Sequence, residues 1–180
     1  QADMVLATGG GPMVKAAYSS GTPAYGVGPG NAVQIIAEDA DVADAVSKVS
    51  MSKVFDYATS CSSENSVIIH ESVYKKALEE FEKNGAYLCS AEEKAQLKDW
   101  MWKPNKKGKI GINPKIIAQS AEKIAADAGL SVPEGTSILL VEGETPVEED
   151  LFSGEKISPV LTVWKYDRFE KGVERLVELT

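Results

Sequence analysis

Ser66-Val67-Ile68-Ile69-His70-Glu71-Ser72-Val73-Tyr74-Lys75-Lys76-Ala77-Leu78-Glu79-Glu80-Phe81 is the stretch on which the fold turns. Residues 66–69 show no polar alternation and are rich in β-branched side chains, the pattern of a short strand covered on both faces. After His70 the apolar residues change to helical spacing, at Val73, Ala77, Leu78 and Phe81. A buried strand therefore runs into an amphipathic helix, the unit from which parallel sheets are built.

Outward from this unit the same change recurs. Brief runs rich in Val, Ile or Leu predict strands at 4–7, 24–27, 33–37, 138–141 and 160–164, with a strand-like segment at Tyr87-Leu88. Val42, Val46 and Val49 mark one helix, and Leu97, Trp100 and Met101 another that opens on a Ser90–Glu93 capping box. Asn113 as cap and Pro114 in the first turn predict one continuous helix carrying Ile117, Ala121, Ile124, Ala125 and Ala128 on one stripe, stopped by Gly129. A last helix is expected from Asp167 and Glu170, burying Phe169, Val173, Leu176 and Val177. The fold class expected is α/β, three-layer, with a largely parallel sheet.

The chain has 180 residues, enough for one compact domain and too few for two full ones. A net charge of −8 argues against a nucleic-acid binder, which needs clustered Lys and Arg in excess. The one basic cluster, Lys103 to Lys109 with Lys106 and Lys107 inside it, is broken by Pro104 and Gly108 and reads as a solvated loop; residues 142–150 read as an acidic loop. No apolar run is long enough to span a membrane, and the first residues lack a basic region followed by an apolar one, so no targeting to a membrane or to export is expected. Two cysteines and one histidine make neither a disulfide framework nor a zinc set, so no metal is expected and a reducing cytoplasm is the expected setting. Both ends look cut, since a buried-type strand follows directly on Gln1-Ala2-Asp3 and the chain closes at the end of a helix.

Few residues carry chemistry. Thr8-Gly9-Gly10-Gly11-Pro12 joins a strand to a helix, where bare backbone admits a ligand and the helix N-terminus favours negative charge; taken alone, it reads first as a tight strand-to-helix turn. Gly26-Val27-Gly28-Pro29-Gly30-Asn31 joins two strands, so it is no dinucleotide fingerprint, which must lead into a helix. Cys61 sits in Phe55-Asp56-Tyr57-Ala58-Thr59-Ser60-Cys61-Ser62-Ser63-Glu64-Asn65. Small polar neighbours suit a reactive, partly exposed thiol, whereas a structural cysteine keeps apolar company. Cys89 has that company and reads as core. His70 reads as a surface or capping group, Glu64 as a solvated carboxylate or loop anchor rather than a base, and Trp100 and Trp102 as core. Glu155, in Glu155-Lys156-Ile157-Ser158-Pro159, is by itself an ordinary loop acid.

Ala7-Thr8-Gly9-Gly10, Met13-Val14-Lys15-Ala16-Ala17-Tyr18-Ser19-Ser20-Gly21, the Gly26 to Asn31 segment and the Phe55 to Cys61 segment, in this order, resemble the CoA-acylating aldehyde dehydrogenases. That family includes the aldehyde half of bifunctional aldehyde-alcohol dehydrogenases and the succinate-semialdehyde and sulfoacetaldehyde enzymes. The likeness runs through Glu155 to Pro159 and the final helix. It implies that residues 1–180 are one truncated catalytic domain, without the family's N-terminal NAD-binding half and C-terminal tail. It implies a thiohemiacetal and then a thioester on Cys61, hydride transfer to NAD or NADP, and acyl transfer to coenzyme A.

By motif, Cys61 is the nucleophile, its backbone N–H one oxyanion donor. Gly9 and Gly10 match the turn near the nicotinamide, and Glu155 the glutamate that holds the nicotinamide ribose. Hydrolytic relatives have a glutamate base where this chain has Gly26, so the thioester is expected to wait for a thiol. Thr59 and Ser60 beside the nucleophile lean the substrate toward a polar aldehyde such as sulfoacetaldehyde, with acetaldehyde and succinate semialdehyde the alternatives. The expected partners are an aldehyde and coenzyme A, with no nucleic acid or membrane, and homo-oligomers of the full-length enzyme; the isolated segment is expected to be inactive. The competing reading is a non-catalytic nucleotide-binding or assembly module in which Cys61 is incidental.

Overall fold

The computed structural model describes residues 2–105 and 108–180, so Lys106 and Lys107 of the basic cluster lie outside the described residues. The chain forms two compact units, Gln1–Gly30 and Asn31–Thr180. In the first, β1 (Val5–Thr8) and β2 (Ala24–Val27) pair in parallel, with Val5 opposite Ala24 and Thr8 opposite Val27. Helix α1 (Gly11–Tyr18) joins them, with Gly10 as its N-cap and a proline in its first turn.

The second unit is built on a five-stranded, all-parallel sheet. Its strands are β3 (Val33–Ile36), β4 (Ser66–His70), β5 (Ala86–Leu88), β8 (Ile138–Glu142) and β9 (Val160–Tyr166), ordered β3-β4-β9-β8-β5. Strand side chains alternate in direction, and the core divides accordingly. Val67, Ile69, Ile138, Leu140, Leu161 and Val163 pack with Val42, Val46 and Val49 of α2 (Val42–Val54) and with Ala77 and Phe81 of α3 (Glu71–Lys83). On the other face, Leu139, Val141 and Val160 pack with Leu97 and Met101 of α4 (Ala91–Met101) and Ile124 and Ala125 of α5 (Ala121–Ala128). Ile68, Trp164 and Tyr166 meet Leu176 and Leu179 of α6 (Phe169–Leu179) on that same face. Helices on both sides of a parallel sheet make the expected three layers. Among the described residues no helix is long and apolar enough to cross a membrane.

Three expectations are corrected. The segment read as a solvated basic loop is flanked by an antiparallel pair, β6 (Trp102–Pro104) and β7 (Ile110–Ile112). The helix expected to run unbroken from Asn113 is instead two pieces. Asn113 caps a single 3-10 turn, Pro114–Ile116, then Ala118 turns left-handed at φ 57° and Ser120 caps α5 afresh. A second capping residue seven positions along the chain competed with the first and took the longer helix. Finally, α6 starts after Arg168 with no side-chain cap, and Phe169 and Val177 are exposed. Its buried face is set by Gly172, where a Cβ would come within 3.2 Å of the Tyr166 ring, rather than by the valines. The capping box of α4 is present as expected, with Ser90 and Glu93 bonded reciprocally.

Candidate active site

The site grows from the end of α2. The chain leaves Val54 through a 3-10 turn in which Asp56, Tyr57 and Ala58 are all left-handed, at φ 48°, 50° and 59°. None is a glycine, so the turn stores roughly 1–2 kcal/mol per residue. It is closed by Thr59, whose N–H donates to Asp56 O at 3.1 Å and whose hydroxyl donates to Asp56 O and Oδ2 at 2.9 and 2.6 Å. That hydroxyl is thereby committed as a donor, which removes half of the polar pair expected beside the nucleophile. Ser60 and Ser62 share a hydrogen bond at 2.9 Å, and Ser63 N donates to Ser60 O at 3.0 Å, so residues 60–63 fold into a tight turn with Cys61 inside it.

Cys61 is exposed and Cys89 is buried. Burial first, and then the nearby Glu93 carboxylate, push the Cys89 thiol up to about 12. Cys89 is therefore an inert core thiol, as its apolar neighbours indicated.

Past the turn, Asn65 fixes the Cys61 loop to the loop that bears Glu155. Its side-chain oxygen accepts from Lys156 N at 3.1 Å, while its own backbone bonds Ala32 O and Thr162 N. Lys156 is wholly buried, and its ammonium donates to Phe152 O and Gly154 O at 2.7 and 3.0 Å, curling the loop around itself. Ile157 follows in the left-handed region at φ 47°. Asn31, where the second unit begins, donates to Ser153 O and Leu179 O, both at 2.7 Å. Cys61 and Glu155 thus belong to two loops tied together by side chain to backbone bonds. Gly9 and Gly10 lie in the first unit, between β1 and α1.

Of its two readings, solvated carboxylate or loop anchor, Glu64 departs from the first. It is 8% exposed, and its Oε2 has no hydrogen-bond partner among the described residues. Lys53, in the last turn of α2, is fully buried and its Nζ is likewise unpartnered there. Burial lowers the Lys53 ammonium to about 7, against the opposing pull of the Glu64 and Glu155 carboxylates. Sequence reading passed over Lys53. Its signal was a lysine one position before the end of a helix whose other buried residues are Val42, Val46, Val49 and Ser50.

His70 is the N-cap of α3, accepting from Ser72 N, and Trp102 packs edge-on to Phe152; both stand where the sequence put them. Gly26 has a packing reason of its own: a Cβ there would come within 2.6 Å of Val14 Cγ1 and 2.9 Å of Tyr18 Cε2.

Residues 2–176 match the family model described as the aldehyde dehydrogenase family. The chain is 61% identical over 178 residues to the sulfoacetaldehyde dehydrogenase (acylating) of Bilophila wadsworthia, covering 99% of this chain and 38% of that protein. It superposes on the crystal structure of an acetylating aldehyde dehydrogenase from Geobacillus thermoglucosidasius with TM-score 0.90 and 39% identity, over 98% of this chain and 38% of that one. It also superposes on a propionaldehyde dehydrogenase of Rhodopseudomonas palustris solved with bound CoA and an acylated cysteine, at TM-score 0.85 and 27% identity, over 98% of this chain and 39% of that one. The chain therefore spans under two-fifths of the length of these relatives. A match over nearly all of its residues, on a three-layer parallel fold with an exposed cysteine in a tight polar turn, means that this chain belongs to the aldehyde dehydrogenase family, among relatives that are acylating.

Proposed function

We propose that this chain carries the acyl-bearing thiol of a CoA-acylating aldehyde dehydrogenase, converting an aldehyde and coenzyme A to an acyl-CoA. The observation that carries the reading is the contrast between the two thiols: Cys61 is exposed in a polar turn, while Cys89 is buried and held protonated. The Cys61 thiolate adds to the aldehyde carbon, and the carbonyl electron pair moves onto oxygen, where the Cys61 backbone N–H is the proposed donor. When the oxyanion reforms the carbonyl, the aldehyde hydrogen leaves as hydride and a thioester remains on Cys61. The coenzyme A thiolate then adds to that carbon, and the Cys61 thiolate leaves with its electron pair.

A nicotinamide dinucleotide, NAD or NADP, supplies the hydride acceptor when bound. The residues present fit such a group: Glu155 is a half-buried carboxylate suited to accept from two ribose hydroxyls, and at the helix start a Cβ on Gly10 would meet only Pro12 Cδ, at 3.8 Å. The absence of a carboxylate at position 26 leaves water without a base there, which favours a thiol acceptor. The proposed substrate is a polar aldehyde such as sulfoacetaldehyde. The Ser60 and Ser62 hydroxyls beside Cys61 and the relatives' names support it, with Thr59 removed from the set by its bonds to Asp56.

The test is Cys61→Ser in the whole protein that carries this segment. Acyl-CoA formation should fall by at least about a thousandfold; retention of most activity would favour a non-catalytic nucleotide-binding or assembly module. A screen of acetaldehyde, succinate semialdehyde and sulfoacetaldehyde tests the substrate, and a wide preference for acetaldehyde would overturn that part.

A further inference from the structure

Both peptide groups that flank Glu155 are held by side chains other than its own. On the N-terminal side, the Gly154 carbonyl accepts from Lys156 Nζ at 3.0 Å. On the C-terminal side, the Lys156 N–H donates to Asn65 Oδ1 at 3.1 Å. Peptide groups are planar, so pinning the two planes that meet at one α-carbon restricts its φ and ψ and sets the direction of its Cα–Cβ bond.

The holders are themselves fixed. Asn65 is buried; its N–H donates to Ala32 O at 2.8 Å and its carbonyl accepts from Thr162 N at 3.1 Å, so its side chain leaves a backbone anchored on both sides. Lys156 is wholly buried, and its Nζ also donates to Phe152 O at 2.7 Å, a carbonyl that accepts in addition from Thr162 Oγ1 at 2.7 Å. Two N–H donors meet two carbonyls here, a match that holds whether or not the amine carries its third proton. Gly154 has open space where a Cβ would stand, so hydrogen bonds rather than packing hold the chain there. Ile157 then continues in the left-handed region at φ 47°, strain that persists only where the surrounding bonds over-determine the chain.

We infer that Asn65 and Lys156 are positioning residues that aim the Glu155 side chain by clamping its backbone, leaving the half-buried carboxylate available to a ligand. Asn65 follows Cys61 in the same loop, so one side chain also ties the acid to the segment that bears the thiol. The contribution to dinucleotide binding is preorganisation: a clamped Glu155 meets the ribose hydroxyls without losing backbone freedom on binding.

This inference deepens the proposed function, since it rests on Glu155 holding the nicotinamide ribose, and the test separates the two. In the whole protein, Glu155→Gln should weaken dinucleotide binding, read as Kd by titration calorimetry; an unchanged Kd would remove the ribose assignment and this inference with it. Asn65→Ala should raise the same Kd and the dinucleotide KM about tenfold, leave kcat within about threefold, and speed hydrogen exchange at the Lys156 amide. Added to Glu155→Gln, it should raise Kd no further. Thr162→Val is the control, because it deletes a hydrogen bond to Phe152 O in the same loop without freeing either peptide group beside Glu155. It should keep the parental Kd whatever it costs in Tm. A parental Kd in Asn65→Ala, multiplication of its effect with that of Glu155→Gln, or an equal rise in Thr162→Val would overturn the clamp while Glu155 keeps its role. If Asn65→Ala does not fold, Lys156→Met, which keeps the volume of the buried chain, frees the Gly154 carbonyl instead. Its Kd should rise about tenfold as well, and a parental value would overturn the proposal.

Discussion

The buried ammonium of Lys53 makes the stability of this protein rise with pH through the neutral to mildly alkaline range, the reverse of what a surface lysine does. Its ordinary value of 10.5 falls to about 7 in the folded chain, chiefly by burial and against the pull of Glu64 and Glu155. Between those two values the unfolded chain holds a proton that the folded chain has lost, so raising pH removes that proton preferentially from the unfolded state and favours folding. The difference is at most about 5 kcal/mol over the whole window, or roughly 1.4 kcal/mol per pH unit. Lys156 is displaced in the same direction, by burial and then by the neighbouring Lys53, and adds to the slope.

Two groups set the upper limit. Cys89 and Tyr74 are both pushed up mainly by burial, so above about pH 9 and 10 the unfolded chain loses protons that the folded chain keeps, and stability falls again. The clean window therefore runs from about pH 7.5 to 9, over which Lys53 alone is worth about 2 kcal/mol. For a chain of this size that is roughly 4–8 °C in Tm. Thermal melts followed by circular dichroism across that window should show the rise in the parent protein, and Lys53→Met should remove about one proton's worth of slope. A flat or falling Tm in the parent, or a Lys53→Met variant with the full parental slope, would refute the buried-cation reasoning.

Three other outcomes follow from particular contacts. Iodoacetamide at neutral pH should label Cys61 at least about tenfold faster than Cys89, read by peptide mass spectrometry, because only one of the two thiols is exposed and the other resists ionisation; equal rates would contradict an activated Cys61. Gly143→Ala should cost about 2–3 kcal/mol in urea unfolding, since a Cβ there runs into the indole of the buried Trp164; a neutral result would mean that the indole can shift. Asn31→Ala should lose about 1–3 kcal/mol by the same assay, because it strips hydrogen bonds from both Ser153 O and Leu179 O.

What could be read from the sequence was what a short window determines. The Ser66 to Phe81 segment gave a strand and a helix because the apolar period changes within it, and β4 and α3 stand there. The Ser90–Glu93 box and the αL glycine at Gly129 are local devices and were equally plain. What failed was decided by competition between nearby signals or at long range. The break at Ala118 required weighing two caps against each other, and the buried side of α6 required knowing that Tyr166 lies under Gly172. The exposure of Cys61 was legible from its polar neighbours, and the burial of Cys89 from its apolar ones. Glu64 and Lys53 were not, because a charged residue is read as solvated until a partner of opposite sign, distant in sequence, shows why it is buried.

The strained turn before Cys61 bears on the same point. Three successive left-handed residues without a glycine cost on the order of 3–6 kcal/mol, and a helix can be ended far more cheaply with one glycine. The chain does end α5 that way, at Gly129. After α2 it instead uses Asp56, Tyr57 and Ala58, locked by three hydrogen bonds from Thr59. A glycine hinge would leave residues 60–63 free to wander, because the entropy it saves in strain it returns as mobility. The locked turn fixes the course of the chain between the end of α2 and residues 60–63. Strain upstream of the thiol limits where the Cys61 sulfur can be, and under the proposed function that is where a nucleophile gains most from its protein.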